Sequence, residues 1–483
     1  MRLNLSNAVS TWSERYPDKM AIDGDYSATY RQLDYMANYV ANSIATVAPS
    51  GKHKIAILEM NGLLFVTALL GIIRSGNIYV LLNQTLDEAC LADLAESVGC
   101  TYYLASAEHA MGKVKWIPIS ENNYSEQYLS LKEQGVLDDA AVFFSSGTTG
   151  KPKPLLRSNY SVLSEIIQWI IELELTRSST FLVPRPLYYT GGFVLLYATL
   201  FVGGCVSLLR DYSINSVVRF FSNNTCDWSL LVPSVIRELL SQSDAKHVSR
   251  NVLTMGDRIL PEEKQMFQQK YQCNLIEVWG NTEGLGTITC PEDVMNNPTS
   301  VGRAFFTDFI EVDHTELRKF GLEQEGILRG KSDNIFSEYI GNDKLTAKTI
   351  VDGWIVSEDV GRKDEYGLVY LTGRLSDAVL IEGRYVFLQR IEEILRRNLD
   401  VVDAAVFLKL EQDWKYTISA AVVSKKPLPL LKEQMKVNSE LLSSEQIQHV
   451  FQLPEIPRNH GGKVEISKLL ALIEDEEKKC VTY

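Results

Sequence analysis

Short apolar runs of strand length alternate with stretches in which apolar residues recur at helical spacing over most of the chain. KIAILEM (54 to 60), IYVLLN (78 to 83), CVSLL (205 to 209) and WSLLVP (228 to 233) read as buried strands, because a continuous apolar run bounded by turn residues suits a sheet covered on both faces. Between Arg74 and Asn83 a helical pattern stops at Ser75-Gly76 and a strand begins, a helix-to-strand crossover. The alternation predicts α/β layers. From about Leu375 the texture changes to a Gly-marked turn at Gly383, the helical LQRIEEILRRNL, strands around AAVFLKL and YTISAAVVS, and a charged tail. That pattern predicts a small, separate α+β unit.

The uncharged run Gly191 to Leu209 approaches membrane-span length, for which ~20 apolar residues are needed. The Gly203-Gly204 pair divides it into a helix-length and a strand-length piece. A buried helix feeding a buried strand is therefore expected, with no integral membrane span.

The chain has 483 residues, 45% hydrophobic and 23% charged, a globular composition too long for a single core. A formal net charge of -13 disfavours nucleic acid or anionic lipid as a general partner. The 7 cysteines are scattered without a C-x-x-C pair, fitting neither a zinc site nor a disulfide framework. The N-terminus lacks a basic segment followed by an apolar one, so no secretory signal is expected and a cytoplasmic setting is.

The sharpest chemical signal is Ser145-Ser146-Gly147-Thr148-Thr149-Gly150-Lys151-Pro152-Lys153, directly after the apolar segment Ala140 to Phe144. A strand entering a hydroxyl-rich, glycine-rich loop clusters N–H and O–H donors suited to phosphate oxygens. It is not a P-loop, since position 145 is not glycine and Pro152 stands where Ser or Thr would follow Gly-Lys. The loop closely resembles the phosphate-binding motif of the adenylate-forming superfamily, which includes acyl-CoA synthetases, luciferases and nonribosomal adenylation domains.

Further motifs follow in that family's order. Trp279-Gly280-Asn281-Thr282-Glu283 resembles the aromatic-Gly-x-Thr-Glu segment, which implies Trp279 beside the acyl and adenine pockets, Thr282 on phosphate and Glu283 on Mg²⁺. A carboxylate suits that hard cation. Met255-Gly256-Asp257-Arg258 is similar to the segment bordering adenine, and Asp359 matches the aspartate that accepts the ribose hydroxyls. Gly373-Arg374-Leu375-Ser376-Asp377 resembles the hinge, with Arg374 near ribose and phosphate and Gly383 on the loop that reaches the thiol. Pro457-Arg458-Asn459-His460-Gly461-Gly462-Lys463 resembles the C-terminal motif whose lysine is catalytic, so the implied catalytic set is Lys463, Glu283 and Thr148. ATP contacts are implied for Ser145, Ser146, Gly147, Thr148, Thr149, Gly150, Lys153, Gly256, Asp257, Trp279, Gly280, Asn281, Thr282, Asp359 and Arg374.

Some positions depart from the pattern. Pro154 replaces a common glycine, Asn159 a frequent histidine, and Ser376, Leu380 and Leu388 differ around the hinge. Pro186-Leu187-Tyr188-Tyr189-Thr190-Gly191-Gly192 resembles an acyl-CoA synthetase segment with Tyr189 in place of histidine, and it lacks the aspartate of amino-acid-activating members.

The resemblance implies a large multi-layer α/β domain over residues 1–374, a small mobile α+β domain over 376–483, and ATP, Mg²⁺ and coenzyme A as reactants. It further implies activation of a carboxylic acid, read as an aliphatic or fatty acid, to its acyl-AMP, followed by transfer to coenzyme A. A carrier-protein phosphopantetheine thiol is the alternative acceptor, and a degenerate non-catalytic nucleotide-binding protein is the alternative of a different class.

Overall fold

The computed structural model describes residues 2–49, 52–127, 134–145, 152–242, 245–320, 322, 324–381, 384–398, 400–410, 416–427, 429, 446–458 and 464–481. Among the described residues, one sheet has seven strands, ordered Glu338–Tyr339, Lys153–Ser158, Asp139–Ser145, Ile78–Leu81, Lys54–Ile57, Cys100–Ala105, Lys115–Pro118. Pairing is parallel from Asp139–Ser145 outward to Lys115–Pro118, and antiparallel where Lys153–Ser158 joins its two neighbours. A second sheet of nine described strands runs Arg303–Ala304, Gly286–Ile288, Asn274–Gly280, Asn251–Met255, Trp228–Leu230, Thr180–Leu182, Cys205–Leu208, Met20–Gly24, Ala28–Thr29.

The main core lies between these sheets. Helices Tyr30–Val47, Leu63–Arg74 and Thr190–Phe201 are wedged there, which is why the last two are apolar on nearly every face. Burying each such Leu, Ile or Phe contributes about 1.5–3 kcal/mol before entropy is counted. Helix Tyr30–Val47 starts at a reciprocal cap, with Gln32 N donating to Thr29 Oγ1 at 3.3 Å and Thr29 N to Gln32 Oε1 at 2.8 Å. Arg74, the single charge of its helix, pairs with Asp34 at 2.7 Å, both side chains 0% exposed. Ser10 Oγ at 2.8 Å, the Asp34 carbonyl at 3.0 Å and Asn38 Oδ1 also accept from its terminal nitrogens.

The run 191–209 becomes helix Thr190–Phe201 followed by strand Cys205–Leu208. Gly203 makes the turn at φ +84, and a Cβ there would meet the Trp12 ring at 2.8 Å. Among the described residues no helix is long and apolar enough to cross a membrane.

A third sheet contains Phe309–Asp313, Gly326–Lys331, Trp354–Lys363, Ile350–Val351 and Val369–Arg374. After Arg374 come the 3₁₀ turn Leu375–Asp377, the paired strands Ala378–Ile381 and Arg384–Phe387, and helix Leu388–Arg396. Strands Val401–Leu410, Tyr416–Ser424 and His449–Gln452 form a further sheet, followed by helix Ile466–Val481. That sheet is covered on both faces. Ala404 and Val406 face Ile391 and Leu395, whereas Ala405 and Phe407 face Leu469 and Ile473, the two-residue alternation of a strand.

Three ion pairs tie this C-terminal portion to the segment after Met255. Arg258 bonds Glu393, Asp257 Oδ2 lies 3.6 Å from Arg458 Nη1, and Glu262 lies 4.0 Å from Arg397. Phe387 adds an apolar contact, packed in one cluster with Leu317 and Val360.

Candidate active site

Strands Asp139–Ser145 and Lys153–Ser158 are antiparallel neighbours, with Ser145 opposite Lys153. The two residues that flank the glycine-rich segment therefore sit side by side at the end of two paired strands of a covered sheet. Ser146, Gly147, Thr148, Thr149, Gly150, Gly383 and Lys463 lie outside the described residues. Pro154 fits without disturbing the ladder, opposite Phe144, its carbonyl accepting from Ile340 N at 3.0 Å. Asn159 is buried at the start of helix Asn159–Glu172 and donates from Nδ2 to the Gly135 carbonyl at 3.1 Å, a structural role.

The same sheet brings Glu283 to these strands. Strand Glu338–Tyr339 pairs with Lys153–Ser158, Tyr339 opposite Leu155. The Tyr339 hydroxyl donates to Glu283 Oε1. Phe336 N donates to the Glu283 carbonyl at 3.1 Å, so side chain and backbone are both anchored. Burial, then the neighbouring Glu283 charge, push the Tyr339 hydroxyl well above its ordinary pKa and keep it protonated. Gly284, at φ +119, is required here, since a Cβ would lie 2.5 Å from the Asn334 carbonyl oxygen.

Trp279, half-buried, and Gly280 end strand Asn274–Gly280, whose neighbour ends at Met255, just before Gly256. The carboxamide oxygen of Asn281 is engaged in its own turn. That oxygen accepts from Gly284 N at 3.0 Å and Leu285 N at 2.9 Å, closing the turn that presents Thr282 and Glu283. Thr282 is half-buried, and its hydroxyl makes no hydrogen bond among the described residues.

Asp359 and Arg374 face each other across antiparallel strands, with Nε 3.2 Å from Oδ1. Burial works against the Arg374 charge, but Asp359 and Asp377 outweigh it, and the pKa is raised further by Glu283. Glu283, Arg374 and Asp359 thus share one electrostatic neighbourhood. The Asp257 side chain is engaged within the protein. Its carboxylate is taken by Arg458 at 3.6 Å, Arg237 at 3.9 Å and Arg258 N at 2.8 Å, so it serves domain contact. Arg458 also bonds Asp403 at 2.9 Å and bridges to Val464, which fixes the two ends of the segment carrying Lys463.

Among the described residues no cluster of three or more His, Cys, Asp or Glu forms a metal site. Glu283 Oε2 has no hydrogen bond there, leaving one carboxylate oxygen for a cation. A single carboxylate suits Mg²⁺, which keeps waters and takes its remaining ligands from phosphate.

Tyr339 and Arg185 were not singled out by sequence reasoning. Tyr339 sits in a two-residue strand with no pattern of its own. Arg185 carried a usable signal, a charge between two prolines just beyond the buried strand Thr180–Leu182.

Residues 9–340 match the model of the AMP-binding enzyme family. The chain is 24% identical to a 2-succinylbenzoate–CoA ligase of Bacillus licheniformis, over 97% of this chain and 100% of that protein. It is 26% identical to a 4-chlorobenzoate–CoA ligase of an Arthrobacter species, over 94% of this chain and 92% of the other. The o-succinylbenzoate CoA synthetase of Bacillus subtilis, solved with its acyl-adenylate intermediate, superposes with a TM-score of 0.86 at 20% identity, covering 97% of this chain and 98% of that one. The family match spans well over half the sequence, and the chain belongs to the AMP-binding enzyme family.

Proposed function

We propose that this protein is an ATP-dependent, Mg²⁺-requiring ligase that converts a carboxylic acid to its acyl-AMP and passes the acyl group to coenzyme A. The observation that carries the reading is the joining of Glu283, through Tyr339, to the sheet whose strands flank the glycine-rich segment, with the Asp359–Arg374 pair in the same electrostatic neighbourhood. Phosphate, cation and ribose each meet groups of suitable chemistry.

The substrate carboxylate attacks the α-phosphorus, and pyrophosphate leaves. Positioning and charge stabilisation do most of the work. The donors of the glycine-rich segment and Lys153 hold phosphate oxygens, Thr282 offers a further hydroxyl, and Asp359 accepts from the ribose. Glu283 would hold Mg²⁺, which supplies neutralisation of phosphate charge when bound. Lys463 serves the first step as a cation against the α-phosphate. Turning about Ser376 then exchanges Lys463 for the Gly383 loop at the thiol. We take 1–374 and 376–483 as the two bodies of that movement.

Coenzyme A is favoured over a carrier protein because the similar proteins are named as CoA ligases. The acids in those names, 2-succinylbenzoate and 4-chlorobenzoate, are aromatic, which supports an aromatic acid over the fatty acid first expected. A panel of aromatic and aliphatic acids, followed by AMP release with coenzyme A, tests this. Benzoates should exceed hexanoate and longer fatty acids. The reverse order restores the fatty acid.

A further inference from the structure

Arg185 is 8% exposed, and among the described residues its Nε has no hydrogen-bond partner. Its Nη1 and Nη2 make no hydrogen bond or ion pair there either. The titratable groups that act on it are the phenols of Tyr212, Tyr189 and Tyr188, with no carboxylate among them. Burial lowers its pKa, as expected of a cation lacking a counter-ion. A guanidinium in this state is strongly unfavourable unless a ligand supplies the anion.

Its surroundings are fixed. Asn61 clamps the backbone, donating from Nδ2 to the Arg185 carbonyl at 3.0 Å and accepting from Leu187 N at 2.8 Å. The guanidinium carbon stacks 4.6 Å from the centre of the Tyr189 ring. Two glycines flank it. A Cβ at Gly256 would lie 3.0 Å from Nη1, and one at Gly191 would lie 4.0 Å from it. Helix Thr190–Phe201 begins immediately after Tyr189 with no side-chain cap. Its first turn offers N–H groups and the positive end of the helix dipole beside the guanidinium.

We propose that Arg185, together with the first turn of helix Thr190–Phe201, forms a subsite for a second, non-reacting carboxylate on the acid substrate, so that the protein takes a dicarboxylic acid. The proposal rests on the ligase reading for its chemistry. The reacting carboxylate cannot be the partner throughout, because it loses its charge when acyl-AMP forms and would leave Arg185 unpaired. A carboxylate that takes no part in the reaction stays paired through both steps. A guanidinium held on the attacking carboxylate would also reduce its nucleophilicity.

Symmetric diacids and their monoacid counterparts test this: phthalate against benzoate, and adipate against hexanoate, with wild type, Arg185→Met and Arg185→Lys. In the activated pair, kcat/KM for the diacid should exceed that for the monoacid. That ratio should fall by about tenfold or more in Arg185→Met, the loss expected for a charge-assisted contact, and by less in Arg185→Lys. Unliganded Arg185→Met should melt above wild type, since an unpaired buried cation is gone, and the diacid should raise the melting temperature of wild type only. Equal loss for both acids in Arg185→Met, or a wild type that activates the monoacid as well as the diacid, overturns the subsite. If wild type forms no acyl-AMP from any acid, the ligase reading fails on its own. The melting data then decide the subsite: a diacid shift confined to wild type supports it, and no such shift overturns it.

Discussion

The Tyr339 hydroxyl donates to Glu283 Oε1, tying a short edge strand to the turn that carries the proposed cation ligand. The bond leaves Oε2 available and fixes the direction in which it points.

Tyr339→Phe should therefore lower adenylation by about tenfold, the worth of a hydrogen bond to a charged group, and excess Mg²⁺ should recover part of the loss. Tyr339 packs edge-to-face against Phe336 at 4.8 Å between centroids, so the fold should tolerate the change. Glu283→Ala, which removes the anionic ligand itself, should cost more than tenfold and resist recovery by Mg²⁺. Initial rates across a Mg²⁺ titration distinguish the two variants.

Lys463→Ala should cripple acyl-AMP formation, where a desolvated ammonium contributes a few kcal/mol, and spare thiolysis of supplied acyl-AMP. Ser376→Pro should do the opposite, because fixing φ restricts rotation at the hinge. Rates of each half-reaction check both variants. Equal losses in the two steps for Lys463→Ala contradict domain alternation.

Asp308 gives a pH dependence. Burial raises its pKa from 3.8 to about 7, although Gly286 N donates to it at 3.2 Å. A carboxyl group with a raised folded pKa favours the fold most at acid pH, and this contribution is lost as pH rises from about 3.8 to about 7. Asp308→Asn keeps an acceptor for Gly286 and removes the titration. The melting temperature of the variant relative to wild type should be higher at pH 8 than at pH 5.

Arg74→Met should destabilise the large domain by about 3–5 kcal/mol, because it removes the guanidinium that balances the buried Asp34 charge. Asp34→Asn combined with Arg74→Met should recover much of that loss. Thermal melting of the single and double variants measures both effects.

The strands at 54, 78, 205 and 228 were legible in the sequence because a continuous apolar run has few alternatives in a doubly covered sheet. Helix Thr190–Phe201 was legible for the related reason that Gly203 must break its run. The glycine-rich segment, Glu283, Asp359 and Arg374 could be picked out as candidates because each motif is local in the chain. The ion pairs of Asp257 and Arg258 with Arg458 and Glu393 could not, since sequence separations of that size leave no periodic signal. The structural use of the Asn281 side chain was not legible for a different reason. An asparagine in a turn is as well suited to closing its own backbone as to binding a ligand, and here it closes the backbone.

Acid-dependent exchange of labelled pyrophosphate into ATP, followed by coenzyme A-dependent release of AMP, tests the central claim most directly. The account predicts exchange that needs both the carboxylic acid and Mg²⁺, and AMP release that then needs coenzyme A. ATP binding with no exchange for any carboxylic acid across the aromatic, aliphatic and dicarboxylic panels would contradict it.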